Sequence, residues 1–380
     1  MASPPSARLP WVDHLRTLAI LLVVNLHACV TYSHVGDWYF MAEPEPTLPA
    51  KVPFIVWQAH LQSFFMGLLF FVSAYFAHGS LARRGPGAFV RERLIRLGLP
   101  ALLYMLVIHP FILLALNPWN HDFGPPAAFY KSYLLTGRFL GSSGPLWFAV
   151  ALLLFCLALA AWKSASGSAP APVAPAAAPP GKTLAGFALA LGLGSFAVRL
   201  VQPIGTSVLN LQLCFFVQYI AFFVAGLHAA RHGWLLPLAS SAHARTAGWL
   251  TLIVSPLVLL ALMYLGSRTA PPQIFFGGWN WQACGFAVWE QLAGVGLSLG
   301  LLTLFSRKFN FEHPRLRWLA ECSFGVYLLH APVIITLAML YRTLPLNIYL
   351  LVALLTVTGL TASFVLADLA RRLPGLRSIL

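Results

Sequence analysis

The feature that most constrains this chain is a recurrence. About ten times along its 380 residues it runs apolar for roughly the twenty residues that a helix needs to cross a bilayer. The runs fall near 11–31, 53–79, 93–116, 144–162, 183–202, 209–230, 246–266, 281–305, 318–341 and 346–370. Only 9% of the residues are charged, against about 25% in a soluble domain. So little charge cannot cover a surface for water, which leaves lipid as the solvent. The expected fold is an all-α membrane protein, a bundle of about ten transmembrane helices. Residues 1–380 read as a single transmembrane domain, interrupted only at 163–182. That stretch is rich in Ala, Pro and Ser and reads as a flexible cytoplasmic linker between the fourth and fifth spans.

Charge orients the bundle. There are 24 Lys and Arg residues against 10 Asp and Glu. Such a basic chain raises the question of nucleic acid, but its charges lie between apolar blocks, so the bilayer is the partner and no nucleic acid is expected. Most of the basic residues fall in the segments that share a side with the N-terminus. Only Lys51, Lys131, Arg138, Arg199, Arg268 and Arg342 fall elsewhere. The positive-inside rule then puts both termini in the cytoplasm, which requires an even number of spans.

Four other readings are bland. The five cysteines are odd in number, contain no C-x-x-C, and read as small buried hydrophobes. Leu26-His27-Ala28-Cys29 is a loose lipoprotein-like box, but Asp13, Asn25 and His27 argue against a cleaved leader. Pro180-Gly181-Lys182-Thr183 ends like a phosphate-binding loop. Ala176 stands where the first glycine of that motif would be, and no strand precedes it. His228 and His232 are spaced i, i+4 at a helix end with no carboxylate between them, and no metal site is expected.

Ionisable residues inside spans are costly and point to function. Asp13, Arg16 and His27 lie in the first span. Arg16 and His27 share a face, separated by about 16 Å of rise. Arg16 can snorkel to phosphates and His27 can be a packing residue, or both can look into a cavity. Arg93 and Arg96 open the third span beside Arg83, Arg84 and Arg91, as topology control or as a clamp for a polyanion. Pro100 follows, a break suited to a cavity wall. Glu290 is a lone carboxylate well inside the eighth span. Ser323, Tyr327 and His330 form one stripe on the ninth. Counted by rise, His27 and Glu290 sit about 23 Å from the cytoplasmic edge and His330 about 18 Å. These depths describe a tunnel, basic at its inner mouth, with acid and base groups farther out.

In order, these residues resemble the integral-membrane acyltransferase type 3 family over nearly the whole chain. Asp13, Arg16 and His27 match its D-x-x-R…H pattern. Phe70-Phe71-Val72-Ser73-Ala74-Tyr75 resembles its F-F-x-S-G-[FY] element, with Ala74 for the usual Gly. Arg93-Leu94-Ile95-Arg96-Leu97 with Pro100 resembles R-x-x-R-L…P, and Pro145-Leu146-Trp147-Phe148 the Leu-Trp-Phe start of the fourth span. Ser323…Tyr327-Leu328-Leu329-His330-Ala331-Pro332 resembles the closing S…Y-x-x-H-x-P element.

The resemblance implies a bacterial inner-membrane enzyme. It would move an acetyl or succinyl group from cytoplasmic acyl-CoA to a hydroxyl of an extracytoplasmic glycan or similar acceptor. Members that carry no appended hydrolase-like domain include transferases of periplasmic glucans and surface polysaccharides, and this chain leans that way. Acyl-CoA is a co-substrate, and no permanently bound cofactor is implied. Arg16, Arg93 and Arg96 would bind the donor. His27 would be catalytic, as general base or as a transient acyl carrier. Glu290 is expected to orient His27, as a carboxylate does in a triad. Asp13, Ser73, Ser323, Tyr327 and His330 would line or support the cavity. In the extracytoplasmic loops 32–52 and 117–143, Trp38, Tyr39, Glu43, Glu45, Trp119, His121 and Asp122 suit sugar contact and interfacial anchoring equally. The rival reading is a transporter or flippase without chemistry, which the unsymmetric four-plus-six division of spans disfavours.

Overall fold

Each apolar run is a helix, because a chain in lipid must satisfy its backbone polar groups within itself. The computed structural model describes residues 9–120, 123–166, 176–268, 270–376 and 379, without the side chains of 119 and 120. In chain order the helices are α1 (Pro10–Ser33), α2 (Leu48–Arg93), α3 (Leu99–Leu103), α4 (His109–Asn120), α5 (Pro126–Leu135), α6 (Trp147–Ser166) and α7 (Gly181–Arg199). Then follow α8 (Phe216–His232), α9 (Leu235–Ser240), α10 (Ala242–Ser267), α11 (Trp281–Lys308), α12 (Pro314–Tyr341) and α13 (Ile348–Arg372). The described residues contain no strand, only an isolated bridge between Val208 and Leu211. Nine helical runs among them are long and apolar enough to cross a membrane.

One of the nine runs supplies two crossings. Leu48–Pro118 is 71 residues long. Straight, it would measure about 107 Å, more than three hydrocarbon cores of about 30 Å. The run breaks at Gly85, whose φ of 73° and ψ of 165° suit a residue without Cβ. Pro86 then restarts the helix with its fixed φ. Ser73 and Phe76 before the break line the same cavity as Arg93 and Arg96 after it, so the chain turns back on itself there. The described residues therefore make ten crossings. The start of α1 and the end of α13 lie at one end, the terminal end; the other is the distal end.

The third crossing is loosely wound. Leu94–Gly98 and Tyr104–Ile108 are π-helical turns flanking α3, a local geometry that often marks functional sites. Two prolines explain part of it. Pro100 and Pro110 have no N–H, so the carbonyls four residues earlier lose their helical donors. One of these, Leu106, accepts instead from the Tyr130 hydroxyl at 2.8 Å, and the neighbouring Met105 carbonyl accepts from Tyr133 at 2.5 Å. Both tyrosines belong to α5, a short helix at the distal end where the sequence predicts only loop.

Small residues set the closest approaches, as they do between membrane helices. A Cβ on Gly248 of α10 would lie 2.3 Å from the Gly300 Cα of α11. Gly248→Leu is therefore expected to force the two helices apart and to cost about 1–3 kcal/mol. The measurement is the thermal unfolding midpoint in detergent, with the lipid-facing Val254→Leu as the unchanged control. The terminal end is closed by α12 and α13. Arg371 pairs with Glu321 at 3.1 Å, and the Trp318 indole donates to Asp368 at 2.9 Å.

Candidate active site

Two places collect most of the residues that the sequence marks as a site. The first is a cavity of about 290 Å³ at the terminal end, walled by α1, α2, the first π turn, α6 and α12. Arg16, Ser73, Arg93 and Arg96 line it, with Phe76, Leu152 and Phe324 among its apolar walls. The guanidinium of Arg93 lies 5.0 Å from the Phe89 ring, and its buried Nε has no hydrogen-bond partner. Asp13 lies 3.9 Å from Arg16. Ser323 donates to the Leu319 carbonyl and lies 3.2 Å from the Thr17 hydroxyl, which in turn bonds the Asp13 carbonyl. Glu92 also lines the cavity and tempers its charge, pairing with Arg84 at 2.8 Å and Arg96 at 3.6 Å. The basic mouth is thus a set of three arginines, two of them beside carboxylates: Arg16 with Asp13 and Arg96 with Glu92.

The second place is a stack of rings nearer the distal end. His27 lies 3.8 Å from Trp38 and 5.3 Å from His330, with interplanar angles of 17° and 20°. Tyr327 continues the stack 6.1 Å from His330, and its hydroxyl donates to the Pro145 carbonyl. The His330 Nδ1 lies 2.8 Å from the Tyr327 carbonyl. A carbonyl only accepts, so Nδ1 carries the proton and Nε2 is left with its lone pair. That Nε2, the His27 Nδ1 and the Trp38 indole N–H are all buried without a hydrogen-bond partner. A hydroxyl brought among them would find basic nitrogens and a donor together. Beside Trp38, Tyr39 is hydrogen-bonded to Tyr104 at 3.0 Å and to His109 at 2.7 Å.

The structure corrects two expectations. Glu290 does not meet His27. Its Oε2 pairs with Arg199 Nη2 at 2.5 Å, with both side chains all but fully buried, and accepts from Gln291 at 3.0 Å. Gln291 accepts from Gln218, which also donates to the Ser63 carbonyl. Rise along a helix sets depth but not facing, and this face of α11 looks at α7. The arginine cavity also falls short of the expected tunnel. On α1 the cavity lining stops at Arg16, and His27 lies about 16 Å farther along the helix.

Arg199, whose guanidinium also packs near the rings of Phe215 and Phe286 at 5.3 and 5.8 Å, is a partner that the sequence pattern does not reveal. The available signal was a cation inside an apolar run. Of the distal loop residues, Trp38 and Tyr39 reach the stack. Glu43 accepts from the Glu45 backbone N–H, and Glu45 pairs with Lys51, a bond that holds its carboxyl below the usual range. His121, Asp122 and the Trp119 side chain lie outside the described residues, as do residues 167–175 of the expected linker. His228 and His232 stack on each other at 6.0 Å.

The described residues thus form a ten-crossing bundle with two stacked histidines inside it and an arginine-lined cavity at one end, the build of an integral-membrane protein. The chain belongs to the family described as an acyltransferase domain, whose model matches residues 9–369, and it is a membrane acyltransferase. It is similar to the glucans biosynthesis protein C of Salmonella schwarzengrund and of Salmonella typhi. Each is 24% identical over 347 residues, spanning 88% of this chain and 84% of the relative. No solved structure matches it.

Proposed function

We propose that this protein transfers an acetyl or succinyl group from acyl-CoA to a hydroxyl of an extracytoplasmic glycan. It would sit in a bacterial inner membrane with both termini in the cytoplasm. The observation that carries the reading is the pairing on one helix of Arg16, in a cation-lined cavity, with His27, in a buried ring stack. The names of the similar Salmonella proteins favour a glucan as acceptor. CoA phosphates would meet Arg16, Arg93 and Arg96, and the thioester would reach the level of His27 through a path opened by donor binding.

His27 would act as general base. It takes the proton of the glycan hydroxyl as that oxygen attacks the thioester carbonyl. The C–O bond forms, the C–S bond breaks, and the proton passes to the departing CoA thiolate. His330 would hold the His27 ring by stacking and offer its own lone pair to the same hydroxyl. Trp38 would cover the stack from the distal side.

The test is transfer of label from acetyl- or succinyl-CoA to a linear β-glucan by protein reconstituted in liposomes. Losing one charged hydrogen bond to a phosphate costs about 1.5–3 kcal/mol. Arg93→Gln or Arg96→Gln should therefore raise KM for the donor about tenfold or more, with a smaller effect on kcat. Unchanged KM in both variants would remove the donor assignment. Transport of glycan without release of CoA would favour the transporter reading.

A further inference from the structure

A second cavity, of about 520 Å³, lies on the other side of α2 and has no part in the proposed chemistry. Phe71 lines it, whereas the next residues, Val72 and Ser73, line the arginine cavity, so one helix wall separates the two. Its volume is within the range of ligand sites, about 300–1,000 Å³. Its depth can be read along α11. Leu302 lines its terminal end and Val295 its inner end, about 10 Å apart. That length is about two thirds of the hydrocarbon of one leaflet, which is half of about 30 Å.

The lining changes with depth as an amphiphile does. At the inner end it is apolar, with Leu68, Phe222 and Val295. One turn above Leu302, Ser298 lines the cavity with a buried hydroxyl that has no hydrogen-bond partner. At the mouth, Pro180 and Thr183 line the wall and the exposed Lys182 stands between them, at the open N–H end of α7. The imidazoles of His228 and His232 stack on Trp234, itself part of the lining. His243 donates to the Pro179 carbonyl at 3.3 Å. No acidic residue occurs anywhere between Asp122 and Glu290, so nothing in α7 to α10 offsets this charge.

We infer that this cavity holds one anionic phospholipid from the leaflet at the terminal end. Its phosphate sits at Gly181–Thr183 with Lys182. Its ester carbonyl accepts from Ser298, and the upper part of its acyl chains fills the space bounded by Leu68, Phe222 and Val295. The lipid braces the face of α2 opposite the arginine cavity.

The test is native mass spectrometry of the delipidated full-length protein titrated with dioleoylphosphatidylglycerol or dioleoylphosphatidylcholine. The expected result is one tightly held phosphatidylglycerol per chain and weaker phosphatidylcholine binding. A basic side chain near an anionic headgroup contributes about 1 kcal/mol, or about fivefold, so Lys182→Glu should erase at least that preference. Ala225→Phe, which fills the cavity, should abolish binding of the tight lipid, while lipid-facing Leu257→Phe should not. Should Ala225→Phe fail to give a monodisperse protein, Lys182→Glu decides alone. Equal binding of the two lipids, retention of the tight lipid by a folded Ala225→Phe variant, or preferential capture of an isoprenyl phosphate or long-chain acyl-CoA would overturn the inference.

Discussion

Replacing Glu290 with leucine is expected to destabilise the protein by about 3–5 kcal/mol, the cost of leaving a buried ionic partner alone. Arg199 is that partner, fully buried with its Nε and Nη1 already without hydrogen-bond partners. The double replacement Arg199→Leu with Glu290→Leu should recover most of the loss, because removing both charges also removes their desolvation cost. Thermal unfolding midpoints of the two single variants and the double variant measure this directly. Acyl transfer should follow stability across the series, and the folded double variant should remain active. A stable but inactive Glu290→Gln variant would instead return Glu290 to the chemistry.

His27→Ala is expected to leave the fold intact and to reduce transfer by about 10²–10⁴, the usual worth of a general base. His330 can be examined more finely. Asparagine at 330 can still donate to the Tyr327 carbonyl, but it removes the Nε2 lone pair that has no partner. If His330 only fills space, His330→Asn should leave the pH profile of kcat unchanged. If its lone pair meets the acceptor hydroxyl, kcat should fall about a hundredfold with donor KM held. Full activity in His27→Ala would end the proposed mechanism.

Periodic features could be read from the sequence, and azimuthal ones could not. Apolar run length predicts the crossings, and the spacing of Tyr327 and His330 places both in the ring stack. Arg93 and Arg96 share a cavity, as their spacing suggests, although a π turn begins between them. That turn goes with Pro100, and a second one, Tyr104–Ile108, goes with Pro110 and with tyrosines of α5 that no local pattern links to it. Glu290 shows the limit most plainly. Its depth follows from counting residues, but its neighbour depends on the rotation of α11 about its own axis, and packing against α7 sets that. Trp38 reaches the histidines from a distal segment whose path is irregular, so periodicity carries no information about it.

The Arg199–Glu290 pair also bears on how the protein is built. The two residues are 91 positions apart in the chain, so Arg199 is synthesised long before its counter-charge exists. It stands at the last residue of α7, where a long side chain can still reach the distal surface while it waits. Its ion pair can form only once α11 has been made. The pair ties α7 to a partner made three crossings later, so this contact of α7 is one that only a nearly complete bundle can hold.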